Sequence, residues 1–360
     1  MECIISQKEI TVVVQGAIVK ETVDTIRSVR AVLPEATIIV STYWGSNIDA
    51  LDYDDIVFST DPGGFKYKVD SNKLNNIERQ VITTISGLRK VRTKYAIKLR
   101  SDFLLTSASF LNWFDKYNRY DEKYSLLKKR LICCDIYSRN PRLRGVQFRL
   151  AMHPSDFFFF GLTEDLIALF DMEKICDGDK IWFSMNCKNN DGFLSRYTPE
   201  QFLWIDFLRR KSTVTLPKSR MDLRKSIVIA TERSFSSNLI ILSKEQIGIA
   251  CKRNIFLESE PGSCFSHKDW EKLYKFYCCH EILPYVSYLF SINVANMKRS
   301  MHVCVRDFSK WFYDFYFYLR KIYFQKKKTS MNDEEFIKWE NQYHMRLKAI
   351  KRIFIRNFKT

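Results

Sequence analysis

The chain has 360 residues, of which 46% are hydrophobic, 11 are glycine and 8 are proline. This composition indicates a folded globular protein and argues against disorder, and the length predicts either one large domain with an appendage or two domains. The net charge of +17 predicts an anionic partner.

The first third of the chain alternates strand patterns with a helical one. Strands are predicted at residues 10–14, 36–41 and 54–61, and a helix at residues 22–33. Gln15 and Gly16 end the first strand. Strands that alternate with helices favour a parallel sheet.

A long helix and a fourth strand follow. The helix is predicted over residues 72–89, where apolar residues recur on one face, and it leads into AIKLRSDFLL, residues 96–105. Arg100, Ser101 and Asp102 interrupt this apolar strand. One interpretation is a simple turn. The other is a polar site at the edge of an open α/β sheet, where ligands usually bind.

The middle of the chain predicts another buried strand and a capped helix. HPSDFFFFGL, residues 153–162, contains four consecutive phenylalanines, which is typical of a strand buried on both faces. The helix begins at TPEQ, where Thr198 is the predicted N-cap, Pro199 the first helical residue and Gln201 the capping-box partner.

The last quarter of the chain differs in composition. Aromatic residues crowd it and lysines follow them, as in WFYDFYFYLRKIYFQKKK. We interpret this region as helices attached to the main domain and predict two domains, residues 1–265 and 266–360. The predicted fold class is α/β, an open sheet flanked by helices with a C-terminal helical extension.

Arg100 and Asp102 indicate phosphate chemistry at the end of the fourth strand. Asp102 offers the hard oxygen ligands that Mg²⁺ and Mn²⁺ prefer, and such ions commonly bridge one protein carboxylate to substrate phosphates. Arg100 offers a forked donor that matches phosphate oxygens. Such a pair could neutralise a departing nucleoside diphosphate.

The order of these segments resembles the WavE family of lipopolysaccharide-synthesis proteins over residues 9 to 210. The segments concerned are ITVVVQG, LPEATIIVSTYW, DDIVFSTDPGG, NNIERQ, YAIKLRSDFLL, HPSDFFFFG and TPEQFLW. That family looks like glycosyltransferases of the GT-A type, whose nucleotide-binding sheet ends in an Asp-x-Asp motif. The resemblance implies a GT-A-like enzyme that moves a sugar from a nucleotide-sugar donor to a growing lipopolysaccharide or other surface polysaccharide.

The resemblance also assigns roles around the fourth strand. Asp102 matches the second aspartate of the Asp-x-Asp motif, which implies contact with Mg²⁺ or Mn²⁺. Arg100 stands where the first aspartate would be, and an arginine can neutralise part of the diphosphate charge without an ion. The prediction of a bound metal ion therefore depends on Asp102 alone.

Five further residues are implied to bind the nucleotide. Gln15 and Gly16 fall where this fold places the base and ribose, at the end of the first strand. Asn76, Arg79 and Gln80 fall on the helix that usually flanks the nucleotide. The alternative for these three is a solvated helix face.

An inverting transfer also needs a base for the acceptor hydroxyl, and Asp156 and Glu200 are the candidates. Asp156 begins a buried run, where an unpaired carboxylate would be costly. Glu200 has the alternative role of stabilising the helix dipole. His267 is a candidate for a different role, that of a metal ligand from a C-terminal loop, and it is weaker than the candidates above.

Two other function classes remain open. A nucleotidyltransferase could use the same sheet edge and carboxylate. A nucleic-acid-binding protein would explain the charge, but its cations should interleave with exposed aromatics along one surface. Here the basic cluster is terminal, which fits an anionic lipid better, so we predict no nucleic-acid partner.

The same sequence predicts where the protein works. Its ten cysteines form no CxxC pair, and it has neither a secretory signal at the N-terminus nor an apolar run long enough to span a bilayer. The basic, amphipathic helix predicted at residues 334–357 would bind the anionic membrane surface beside a lipid-linked saccharide acceptor. We therefore expect a cytoplasmic protein that is peripheral on the cytosolic face of the inner membrane.

Overall fold

The computed structural model divides into two compact units, Met1–Asn296 and Met297–Thr360. The residues that the structure describes are 5–66, 72, 74–144, 149–172, 195–251, 262–328, 331–332, 334–339 and 342. The first unit contains all the described strands. The described residues of the second unit are mostly helical.

A seven-stranded sheet forms the centre of the first unit, in the order β10-β8-β9-β6-β1-β2-β3. Its strands are β1 (Ile10–Gln15), β2 (Thr37–Tyr43), β3 (Asp55–Ser59), β6 (Tyr95–Arg100), β8 (Leu131–Cys134), β9 (Phe158–Leu162) and β10 (Leu239–Leu242). Only β9 is antiparallel to its neighbours, β6 and β8. Two small antiparallel pairs add β4 (Phe65–Lys66) to β5 (Leu74–Asn75), and β7 (Phe103–Leu105) to β11 (Ile249–Cys251).

Helices flank this sheet. They are α1 (Thr22–Val32), α2 (Ile77–Lys90), α3 (Thr163–Phe170), α4 (Pro199–Lys211), α5 (Lys225–Asn238), the single turn α6 (Lys244–Ile247) and α7 (His267–Tyr277). A long helix, α8 (Ile282–Lys328), begins in the first unit and continues into the second. The predicted fold class is thereby confirmed: a mostly parallel sheet, flanking helices and a C-terminal helical region, consistent with a GT-A-like fold. The predicted capping box of α4 is also confirmed.

The phenylalanine run explains how β9 can lie at the centre of the sheet. Phe158, Phe159 and Phe160 are fully buried, and successive side chains point to opposite faces. Phe160 packs on Phe110, with ring centroids 4.9 Å apart, while Phe159 meets Phe170 of α3 at 5.8 Å. A strand buried on both faces is favoured by a continuous run without polar side chains, and Phe158–Leu162 supplies one.

The predicted start of the second helix is wrong. The helix α2 begins at Ile77, and the residues before it, Leu74–Asn75, pair with Phe65–Lys66. The side-chain oxygen of Asn75 accepts a hydrogen bond from the Ile77 N–H at 3.1 Å, which favours a turn over a further helical turn. Asn76 is therefore the N-cap residue of α2.

The first unit extends beyond the predicted boundary at residue 265. It includes α7, which packs against α5 and β10, and the first turns of α8, where Tyr288 and Ile292 are buried. The assignment of the glycosyltransferase domain to residues 1–265 stays a prediction.

Candidate active site

A cavity of about 590 Å³ lies at the carboxyl ends of β1 and β6. The last residues of these strands, Gln15 and Arg100, are paired neighbours in the sheet. All nine site residues predicted from the sequence line the cavity: Gln15, Gly16, Asn76, Arg79, Gln80, Arg100, Asp102, Asp156 and Glu200. The structure thus brings together residues spread over most of the first unit. Their individual roles stay predictions.

The end of β1 forms one wall through a tight turn. Gly16 has a φ of +118°, and its N–H donates to the Ser41 carbonyl at 3.0 Å. A Cβ at this position would also lie 3.3 Å from the Ser101 hydroxyl. Both observations favour glycine here. The preceding Gln15 accepts a hydrogen bond from the Thr83 hydroxyl at 2.9 Å, which fixes its carboxamide.

The triplet at the end of β6 makes a turn and also lines the cavity. Ser101 donates its N–H to the Gln15 carbonyl at 3.0 Å and its hydroxyl to the Ala17 carbonyl at 2.7 Å. This ties the turn to the end of β1. The two interpretations of the triplet are therefore compatible, because the serine holds the turn while its neighbours face the cavity.

Arg100 and Asp102 form a forked ion pair. The guanidinium donates to both oxygens of Asp102, at 3.1 and 2.9 Å. It also lies against the rings of Phe103 and Phe157, at 5.3 and 5.2 Å from their centroids. Cation–π contacts of this kind hold a guanidinium in place without neutralising it. Arg100 is consequently preorganised at the cavity wall.

The first turn of α2 forms a second wall. Arg79 donates to both oxygens of Asp61, each at 2.7 Å, and to the side-chain oxygen of Asn76 at 3.0 Å. The hydrogen bonds from Arg79 hold the pKa of Asp61 below its ordinary value. Tyr43 donates its hydroxyl to the Arg79 carbonyl, and burial raises the pKa of Tyr43 to about 12.

The first turn of α4 brings Glu200 into the cavity opposite these groups. The carboxylate lies 3.3 Å from Nε2 of His153, a buried histidine. Although burial of Glu200 opposes ionisation, the attraction and hydrogen bond of His153 hold its pKa below the ordinary value. The capping box at Thr198 fixes where this turn begins, so it also fixes Glu200.

Asp156 lies deeper in the cavity than Glu200. Burial raises its pKa, and repulsion from Glu200 adds to the effect, against the attraction of Lys98 and Arg100. Lys98 lies fully buried in β6, and its Nζ donates to the Asp156 carbonyl. Burial lowers the pKa of Lys98 to about 8.

Sequence reasoning missed several residues in or beside the cavity: Tyr43, Asp61, Lys98, His153 and Phe157. A signal existed for Lys98, because a lysine in the middle of the apolar strand YAIKLR needs a buried partner. A sequence signal also existed for His153, because it lies only three residues before Asp156, which was itself a predicted site residue. No local pattern distinguishes Tyr43 or Asp61 from ordinary strand-end residues.

His267 lies outside the cavity. Its Nδ1 lies 2.8 Å from the Ile241 carbonyl, and its ring packs edge-on against Trp113 at 4.7 Å. Burial lowers its pKa. These contacts belong to the packing of α7 on the sheet, and the structure does not bring His267 near Asp102.

The fit of a divalent metal ion can be tested on Asp102. Both of its oxygens already accept hydrogen bonds from Arg100. In the part of the chain that the structure describes, no three His, Cys, Asp or Glu side chains come together in a way that could hold a metal ion. The arrangement therefore does not fit an ion held by protein ligands at this position. The expected Mg²⁺ or Mn²⁺ stays a prediction, which metal titration tests.

The mostly parallel sheet, with a polar cavity at its carboxyl edge, defines a protein with an α/β fold of the nucleotide-binding kind. A model of the WavE lipopolysaccharide synthesis family matches residues 10–303, and the chain belongs to this family. Membership indicates a role in lipopolysaccharide synthesis. No curated protein matches the chain.

Among the described residues, no helix combines the length and the apolar character that crossing a membrane would require.

Proposed function

We propose that the protein is a glycosyltransferase that moves a sugar from a nucleotide-sugar donor to a lipopolysaccharide or related surface-saccharide acceptor. The observation that carries the proposal is the cavity itself. It sets the Arg100–Asp102 fork at the end of a central strand, facing two carboxyl groups with different environments, Asp156 and Glu200. Sugar transfer needs both parts: neutralisation of the leaving diphosphate, and a base for the acceptor.

Charge in the cavity supports a diphosphate ligand. Asp61, Asp102 and Glu200 each have a basic partner, in Arg79, Arg100 and His153 respectively. The raised pKa of Asp156 favours its neutral form, which leaves the buried Lys98 as a cation beneath the site. The 14-residue helix α2 also begins at the cavity wall, and helix N-termini attract anions.

Neutralisation by arginine follows from the same contacts. Arg100 is held by Asp102 and two aromatic rings, so little entropy is lost when it binds phosphate oxygens. We propose that Arg100, with Lys98 behind it, neutralises much of the leaving diphosphate. Titration of Mg²⁺, Mn²⁺ and EDTA into a transfer assay tests how much an ion adds.

Donor and reaction can be tested together. Thermal-shift screening against UDP-, GDP-, CMP- and dTDP-sugars should give one class that stabilises the protein. With that donor and lipopolysaccharide as acceptor, the released nucleotide should match the sugar transferred. Release of pyrophosphate from a nucleoside triphosphate and a sugar phosphate would instead establish a nucleotidyltransferase. No stabilisation by any nucleotide would contradict both enzymes.

We also propose that the protein works at the anionic inner face of the inner membrane, where a lipid-linked acceptor would be found. The first turns of α8 support this. Ile282, Leu283, Val286 and Phe290 expose 55–81% of their surface and recur three or four residues apart, as on one helix face. The helix carries nine lysines and arginines against two aspartates. Exposed apolar residues on a basic helix favour an anionic lipid surface.

A further inference from the structure

His153 is held in one orientation by contacts on both ring nitrogens. Its Nδ1 lies 2.9 Å from the Tyr137 carbonyl, and its Nε2 lies 3.3 Å from a carboxylate oxygen of Glu200. The side chain is 4% exposed. Its own carbonyl accepts the Arg139 N–H at 2.9 Å, so the backbone is fixed as well.

The backbone around His153 is strained. Tyr137, whose carbonyl meets Nδ1, has a φ of +68°, and Met152, the residue before His153, has a φ of +53°. Residues other than glycine rarely adopt such values, and those that do are concentrated at functional sites. Two residues with positive φ thus lie next to this one side chain, one at the carbonyl that Nδ1 contacts and one directly before it in the chain.

Hydrogen bonding then restricts the proton on the ring. A carbonyl oxygen can only accept, so Nδ1 carries a proton. Nε2 faces a carboxyl group, so either Nε2 carries a second proton and Glu200 is ionised, or Glu200 carries the proton and donates it to Nε2. The two groups share one proton between them in both cases.

We infer that His153 is a positioning residue that keeps Glu200 ionised and aimed into the cavity, so that Glu200 accepts the proton of the acceptor hydroxyl. This rests on the proposed glycosyltransferase function. Asp156 and Arg139 are the other charged groups that act on Glu200. Asp156 repels its charge and Arg139 attracts it, and His153 makes the direct contact.

The two carboxyl groups thereby separate in role. Burial raises the pKa of Asp156, whereas attraction to His153 lowers the pKa of Glu200 against the effect of burial. Two carboxyl groups whose pKa values are pushed apart in one site can act as a base and a neutral hydrogen-bond donor. Glu200 is also 20% exposed, which leaves its carboxylate accessible from the cavity.

The step balances as an inverting displacement. The acceptor hydroxyl oxygen forms a bond to the anomeric carbon of the donor sugar. The bond from that carbon to the phosphate oxygen breaks, and its electron pair leaves with the nucleotide. The hydroxyl proton passes to the Glu200 carboxylate and is later lost to water.

The proton on His153 can be measured without any substrate. The chain has five histidines, so ¹⁵N-histidine labelling gives a simple ring spectrum, and His153→Gln assigns the relevant signals. The wild-type ring should carry a proton on Nδ1, which faces the Tyr137 carbonyl, and Glu200→Gln should change the ¹⁵N chemical shift of Nε2, which faces the carboxylate. Identical Nε2 shifts in the two proteins would overturn the inference, whatever reaction the enzyme catalyses.

Kinetic measurements are the second test of the inference. Their donor substrate is the nucleotide sugar that the thermal-shift screen selects. His153→Gln should lower kcat about 100-fold with little change in donor KM, and should move the acidic limb of the kcat profile to higher pH. The double variant with Glu200→Gln should be no slower than Glu200→Gln alone. His267→Gln is the matched control, because it also loses a ring contact to a backbone carbonyl but lies outside the cavity. An unmoved acidic limb, or additive losses in the double variant, would leave His153 a structural residue.

Discussion

Lys98 shows how one residue can link stability to the site. It occupies the middle of β6, between the β-strands β1 and β9, and its side chain is fully buried. Burying a cation costs stability unless partners compensate, and here the partner groups belong to the candidate active site. The cost is consistent with a functional use of the charge.

We predict that Lys98→Met removes a pH dependence of stability. Burial lowers the pKa of Lys98 to about 8, whereas an unfolded lysine titrates near its ordinary value of about 10.4. At a pH below the pKa of the folded state, the full cost of burying the charged amine lowers the free energy of unfolding. This cost disappears as the pH rises from the folded to the unfolded pKa, because the unfolded state binds more protons in that range. The free energy of unfolding of the wild type should therefore rise by about 3 kcal/mol relative to Lys98→Met. Urea unfolding of both proteins between neutral pH and high pH measures this, and a constant difference would contradict it.

A second residue-scale prediction concerns the Arg100 fork. Arg100→Lys keeps the charge but cannot donate to both oxygens of Asp102, so affinity for the nucleoside diphosphate should fall about tenfold. Calorimetric titration with UDP or GDP, in EDTA, measures the change without any metal. Arg89→Lys is the control, since its pair with Asp171 is more than half exposed on both sides. Equal affinities of Arg100→Lys and the wild type would argue against a diphosphate at Arg100.

Asp102 gives the matching prediction for catalysis. Asp102→Asn keeps the shape of the side chain but removes the charge that orients Arg100, so transfer should fall at least about 100-fold. Circular dichroism should remain unchanged, which separates this loss from unfolding. Full transfer activity in the folded variant would remove Asp102 from the site.

At the scale of elements, α2 is placed by a close approach to the sheet. A Cβ on Gly87 would lie 2.4 Å from Val13 Cγ1 of β1 and 2.9 Å from Ser41 Cβ of β2. The missing side chain therefore lets the helix lie directly on the two strands. The first turn of the same helix carries Arg79 and Gln80 into the cavity. The packing of α2 on the sheet therefore also sets the positions of Arg79 and Gln80 in the cavity.

We predict that Gly87→Ala is destabilising even though alanine is the better helix former. Propensity would stabilise the helix by about 1 kcal/mol, while overpacking against β1 and β2 costs about 1–3 kcal/mol. The net loss should appear in urea unfolding, together with weaker nucleotide binding as α2 moves outward. Lys90→Ala, at an exposed position of the same helix, should change stability by less than about 0.5 kcal/mol. A stabilised Gly87→Ala would show that α2 is free to shift.

At the scale of the whole molecule, the excess positive charge and the exposed apolar residues of α8 lead to a prediction about membranes. The triple variant Leu283→Gln, Val286→Gln and Phe290→Gln should bind vesicles of phosphatidylglycerol and phosphatidylethanolamine at least about tenfold more weakly, since each apolar side chain loses its burial. The control variant Ser287→Gln and Asn293→Gln changes exposed polar positions of the same helix. Unchanged binding of the triple variant would exclude this face, and a loss of self-association would identify it as a contact between copies.

The basic helix predicted at residues 334–357 lies largely outside the described residues, which include only 334–339 and 342 of it. Its binding to the membrane stays a prediction. Deletion of residues 331–360 tests it separately from the α8 variant. If both segments bind lipid, the two changes should each weaken binding and together should remove it.

The sequence by itself determined the local features of this protein. Buried strands, the capping box at Thr198 and the polar triplet after β6 follow from patterns within a few residues, because backbone preference and side-chain alternation are local properties. The order of segments along the chain also identified the family, and with it the expectation that nine site residues, eight of them polar, meet.

Only the tertiary structure decided what those residues do to one another. The antiparallel insertion of β9 between β6 and β8, the bond from Lys98 to the Asp156 carbonyl and the contact of His153 with Glu200 join positions far apart in the chain. Local patterns contain no information about such pairs, since strand order and burial arise when the whole sheet packs. The pKa of a carboxyl group depends on that burial and on its neighbours. The opposite pKa shifts of Asp156 and Glu200 therefore arise only in the folded molecule.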